Sequence, residues 1–140
     1  DVEVGGWKSE SAMDALRVRV VWISGPHRGG LHDKSIFVEM GLRAKIPLGK
    51  KAVTDRVYGA QAQPESHAKL SLPNPMDDQV LANFKSHVRA RHETFNGRLK
   101  FYRSLYDTYH HSNDKHVHVF EAICVTVQYQ IDNGSPLFSV

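Results

Sequence analysis

Residues Val88–Leu105 read VRARHETFNGRLKFYRSL, with one carboxylate, Glu93, among Arg89, Arg91, Arg98, Lys100 and Arg103. Wound at about 100° per residue, Phe84, Val88, Phe95, Leu99 and Tyr102 form one stripe. Lys85, Arg89, Glu93, Lys100 and Arg103 form another, roughly opposite. The spacing predicts a long amphipathic helix with a packed apolar side and a basic outer side. Glu93 then has two readings. One is a solvated ion pair with Arg89, worth a few tenths of a kcal/mol (~0.3). The other is a metal-binding carboxylate set in a phosphate-binding surface.

The 140 residues suit one domain able to bury a real core, and 41% hydrophobic with 24% charged residues is ordinary globular composition. No apolar run approaches the ~18 residues of a membrane span. No signal peptide opens the chain, and its polar start without Met is what a fragment would show. A single cysteine, Cys124, excludes an internal disulfide and a multi-cysteine zinc site, and fits a reducing, intracellular compartment. The net charge of +3 is mild, but six Lys or Arg against one Glu between Lys85 and Arg103 concentrate positive field on one helix.

Around that helix the chain divides by punctuation. Residues 1–14 are polar and aperiodic, and read as loop or ragged end. Ala15–Ser24, ALRVRVVWIS, alternates as a strand, with Leu16, Val18, Val20 and Trp22 on one face. Gly25-Pro26 and Gly29-Gly30 then signal a turn. Leu31–Arg43 reads as a short helix with Ile36, Phe37 and Met40 inward and Asp33 at its N-cap. Lys51–Asp55 reads as a brief buried strand ending in a carboxylate. Residues 59–75 carry Gly59, Pro64, Pro73 and Pro75 and read as a loop. Asp77 or Asp78 caps the long helix, and Gly97 within it is a candidate kink. Residues 116–131 satisfy both helix and strand periods; their length favours helix.

Two carboxylates stand out by position: Asp55 at a strand end and Glu93 on the helix. Acids brought together from such elements are what two-metal phosphoryl transfer requires, because Mg²⁺ is hard and prefers oxygen ligands. His110, His111, His116 and His118 match no standard zinc spacing. Cys124 lies in an apolar run, as buried structural cysteines do. Gly25–Gly30 lacks the spacing of a phosphate loop.

The segments HRGGLHDKSIF (27–37), KKAVTDRVYG (50–59), RARHETFNGRLKFYRSL (89–105) and KHVHVFEAICVTVQYQIDNGSPLF (115–138), in that order, resemble the Harbinger-like transposase nucleases of the DDE superfamily of endonuclease domains. The resemblance runs from about Val20 to the C-terminus. It implies an α/β chain, a partial RNase H-like fold with a mixed sheet flanked by helices. It also implies Mg²⁺- or Mn²⁺-dependent cleavage and transfer of DNA strands in the nucleus, with a separate DNA-binding protein as a further candidate partner. Asp55 and Glu93 would be the catalytic metal ligands, with Asp33 a further candidate. Lys85, Arg89, Arg91, Arg98, Lys100 and Arg103 would hold DNA phosphates. The family's Asp-x-Gly-Tyr appears as Asp55-Arg56-Val57-Tyr58, with Val57 crowding the backbone where Gly is usual. Its first catalytic Asp, in a segment resembling Ile-Asp-Gly-Thr, has no counterpart. Three carboxylates are implied and two are supplied, so the chain is expected to be inactive alone. A transposase-derived DNA-binding or protein-interaction domain without catalysis is the competing reading, and a degenerate remnant a third. Glu93 also projects nearly opposite the apolar stripe, so it would need a kink or an edge-packed helix to reach the strand of Asp55.

Overall fold

The computed structural model describes residues 2–4, 7–28, 31, 35–37, 41–59, 64–105 and 112–140. The chain is mixed α/β, with a three-stranded antiparallel sheet and a two-stranded parallel one among these residues. It divides into two compact units. One unit is residues 1–30 with 91–140, the other residues 31–90.

In the first unit, β1 (Val2–Val4), β2 (Trp7–Asp14) and β3 (Arg19–Arg28) form an antiparallel meander with β2 in the centre. This corrects the reading of residues 1–14 as a ragged end. WKSESAMD has no apolar alternation, yet Lys8, Ser9 and Glu10 are all buried, because a central strand has neighbours on both edges. The expected strand over Ala15–Ser24 is shifted. Asp14 Oδ1 accepts the backbone N–H groups of Leu16 and Arg17, each at 2.9 Å, and folds residues 15–18 into the turn. Leu16 is consequently solvent-exposed, and Val18 adopts φ 54°, a left-handed conformation that is costly for a β-branched residue.

Gly25-Pro26 is not a terminating turn; it is a bulge inside β3, opposite Ser9, where the pairing steps from Lys8↔His27 to Glu10↔Ser24. Gly25 has φ 136°, and a Cβ there would stand 2.5 Å from Ser9 Oγ, so only glycine fits. The bulge puts Ser24 and His27 on one face, with Ser24 Oγ 2.8 Å from His27 Nε2.

The second unit has a helical segment at 35–37 with Ile36 and Phe37 buried, then α1 (Leu42–Lys45), β4 (Ala52–Val53), a 3₁₀ turn (Arg56–Gly59), α2 (Pro64–His67) and β5 (Leu70–Ser71). Asp33 and Met40, of the helix expected over Leu31–Arg43, lie outside the described residues. β4 and β5 pair in parallel, Ala52 with Leu70 and Val53 with Ser71. The stretch 59–75 is therefore not all loop. Phe37 packs edge-on against Tyr58, ring centroids 6.3 Å apart.

The long helix α3 (Gln79–Lys100) starts at Asp78, whose Oδ1 accepts the Leu81 N–H at 2.8 Å, and runs unbroken through Gly97. The boundary between the two units falls inside it, after Ala90. Phe95 and Leu99 are fully buried, as the stripe predicts, while Phe84, Val88 and Tyr102 are half-buried. After a 3₁₀ turn (Arg103–Leu105), α4 (Asn113–Asp132) resolves the ambiguous period in favour of helix. Phe120, Ile123, Cys124, Val127 and Ile131 form its inner stripe, and with Phe95, Leu99, Leu105 and Leu137 they make the core of the first unit.

α4 also closes the outer edge of the meander. Gln128 Oε1 accepts the Val20 N–H at 3.0 Å, and its Nε2 donates to the Val18 carbonyl at 3.2 Å. One amide thus satisfies a strand N–H and the carbonyl of the last turn residue before the strand. Gln128→Leu keeps the helix but orphans both groups, and should cost ~1–3 kcal/mol, read as a lower urea midpoint. An unchanged midpoint would show that water replaces the amide without loss.

Candidate nucleic-acid interface and carboxylate positions

The basic residues of α3 were expected on one solvated face. The structure uses most of them otherwise. Lys85 is buried: its Nζ donates to Asp77 Oδ2 and to the Leu72 carbonyl, both at 2.8 Å. The hydrogen bond from Lys85 is the main reason the Asp77 carboxyl is held below its ordinary pKa. Arg89 is half-buried and turns Nε to the Lys85 carbonyl of its own helix at 3.3 Å, not to Glu93. Arg91 is buried, and its guanidinium donates to the Ala15 carbonyl in the β2–β3 turn and to the Phe138 carbonyl in the C-terminal tail. Burial lowers the pKa of this guanidinium, partly countered by the nearby Asp14 charge. Arg98 reaches the carbonyls of Ser135 and Pro136. Of the six, Lys100 and Arg103 are the exposed ones.

The two carboxylates are placed as follows. Asp55 lies two residues after the end of β4 and is exposed; its Oδ1 accepts the Val57 N–H at 3.0 Å and starts the 3₁₀ turn. Val57 is itself exposed, so its branched side chain turns to solvent. Asp55 belongs to the second unit. Glu93, in the first, is exposed on α3, while the residues around it are held. Arg91 is tied to two carbonyls, and His92 Nε2 lies 3.2 Å from Ser11 Oγ with its ring stacked against Phe95 at 6.3 Å. Asn96 is buried, and neither of its amide atoms has a hydrogen-bond partner among the described residues. Carboxylate oxygens suit a hard divalent cation. Among the described residues, however, no group of three His, Cys, Asp or Glu is placed to hold one.

His110 and His111 lie outside the described residues; His116 is buried and His118 exposed. Cys124 is buried, and its thiol is pushed up to about 12 by burial and by Glu121, which fits its reading as a packing residue. Among the described residues no helix is long and apolar enough to cross a membrane.

Sequence reasoning missed a small recess at the end of α3. Arg98, Phe101, Tyr102 and Gln130 line a volume of about 240 Å³. The i, i+4 pair Arg98–Tyr102 was visible in the sequence, but Gln130 comes from α4 and reaches the recess only through tertiary packing.

Set against known protein families, curated proteins and solved structures, the chain matches none.

His92 sets a pH limit on the first unit. Burial lowers its pKa from 6.5 to about 4. Above the unfolded value both states are neutral; as pH falls, the unfolded chain takes up a proton that the folded chain refuses. The His92 contribution is therefore complete above pH ~6.5 and lost on acidification towards pH ~4. Burial lowers His27 and His116 as well, with the same sign. Between about pH 7 and 5, denaturant titrations should show a loss of roughly 2 kcal/mol from His92, and His92→Gln should flatten the profile. A profile unaltered by that substitution would place the titration elsewhere.

Proposed function

We propose that this chain is the DNA-binding portion of a DDE-type nuclease domain with an RNase H-like fold, in which the catalytic set is incomplete. The observation that carries the proposal is the state of the Arg89–Lys100 motif. Arg91, Asn96 and Leu99 within it are buried and His92 is half-buried, while its one carboxylate, Glu93, is exposed. A carboxylate held on a rigid element is what a preorganised ligand requires. Asp55, two residues after β4, is the second position that the family resemblance implies.

In this reading Asp55 and Glu93 are each, by resemblance, a candidate oxygen ligand for hydrated Mg²⁺ or Mn²⁺. The described donors do not complete a metal site, so no catalytic step is assigned to one. DNA is held by Lys100 and Arg103 through phosphate charge, which gives affinity without sequence preference. The nucleus is the compartment that goes with this partner.

The 140-residue chain should bind duplex DNA with an affinity that falls steeply with salt, and should not nick supercoiled plasmid in Mg²⁺ or Mn²⁺. Lys100→Ala with Arg103→Ala should weaken binding evenly across sequences and reduce the salt slope by about two. Asp55→Asn should leave binding intact or slightly tighter. Absence of salt-dependent duplex binding would overturn the nucleic-acid reading. Metal-dependent nicking abolished by Asp55→Asn would show that the catalytic set is complete.

A further inference from the structure

We propose that the recess at the end of α3 takes one unpaired nucleotide of a single-stranded DNA segment, with the base stacked on Phe101. Phe101 follows the last residue of α3 and is 91% exposed, so its ring contributes almost nothing to the core. A solitary exposed aromatic is unremarkable by itself. This one walls a recess that is also lined by Arg98, Tyr102 and Gln130, each of which carries a polar end group.

The volume of about 240 Å³ is below the ~300–1,000 Å³ typical of sites that enclose a drug-sized ligand. It suits one planar ring, with sugar and phosphate left outside. The polar groups match a base edge. Gln130 Nε2 donates to the Tyr102 hydroxyl at 3.3 Å. That arrangement leaves the hydroxyl hydrogen as a donor and the Gln130 Oε1 as an acceptor. Such a pair can meet the alternating donors and acceptors of a base, which a duplex would occupy by pairing.

Charge agrees with this occupant. Arg98 is fixed on the Ser135 and Pro136 carbonyls, so it supplies stationary positive charge beside the recess. Lys100 and Arg103, both exposed, flank Phe101 in sequence. Aromatic face, hydrogen-bonding edge and cations together are the means by which proteins hold single strands. The inference rests on the nucleic-acid reading above but not on Asp55 or Glu93. It adds a preference for unpaired over paired DNA.

The test uses the full chain and fluorescence anisotropy with labelled oligodeoxythymidine, a duplex of equal length, and free thymidine monophosphate as competitor. Phe101→Ala should weaken single-strand binding about tenfold and leave duplex binding within about twofold, while Phe101→Trp restores it. Because the ring is exposed, the fold should survive, and an unchanged circular dichroism spectrum checks this. Equal single-strand affinity for wild type and Phe101→Ala, with duplex binding intact, would overturn this inference alone. Loss of binding to both forms of DNA in the wild type would overturn the nucleic-acid reading with it. Competition by the free nucleotide as effective as by the strand would overturn the strand as ligand.

Discussion

The side chain of Arg91 leaves α3 in the first unit and ends, buried, on two backbone carbonyls, Ala15 and Phe138. These lie 76 and 47 positions away in sequence, one in the β2–β3 turn and the other in the C-terminal tail. A carbonyl in an irregular segment lacks the partner that a ladder would supply, and leaving it buried without one is costly. Arg91 supplies two such partners from one rigid helix. The turn made by Asp14 and the tail after α4 are thereby fixed to the helix that carries Phe95 and Leu99 into the core.

The same device recurs in each unit. Arg98 serves Ser135 and Pro136; Lys85 serves Leu72; Lys69 serves Ile46 at 2.6 Å and Pro47 at 3.2 Å. Strands of two or three residues, such as β4, β5 and β1, leave many carbonyls outside regular ladders. Basic side chains with several donors and long stems are suited to reach them. Much of the positive charge that suggests an anionic partner is therefore spent on the chain's own backbone. In the proposed reading the phosphate contacts are narrower, centred on the exposed Lys100 and Arg103 near the end of α3, beside Phe101. A nucleic-acid surface built this way is small and positional, not a broad basic face.

Where hydrophobic period ruled, the sequence was legible. Phe95 and Leu99 are buried at the stripe positions, Asp78 caps α3, and length, where the period of 116–131 was ambiguous, selected the helix that buries Phe120, Val127 and Ile131. The strand β2 was not legible, because WKSESAMD carries no apolar alternation and its burial comes from its neighbours β1 and β3. The displacement of β3 had a local cause: Asp14 captures two N–H groups and turns Ala15–Val18 away from the sheet. The roles of Lys85 and Arg91 were hidden for another reason. Helical projection places a side chain on a face but cannot tell a solvated cation from one that a distant carbonyl will bury. Asp55 and Glu93 were legible as positions, the one behind a strand and the other exposed on a helix.

The central claim is that Arg91 is a structural cation and not a phosphate ligand. The most direct measurement compares Arg91→Met with wild type in urea titrations at low and high salt, alongside duplex DNA affinity. The account expects a loss of ~2–4 kcal/mol that is nearly independent of salt, since the contact is buried. At protein concentrations and temperatures where the variant is folded, its DNA affinity and salt slope should match wild type. Stability unchanged within about 0.5 kcal/mol, together with a DNA salt slope reduced by about one, would contradict it.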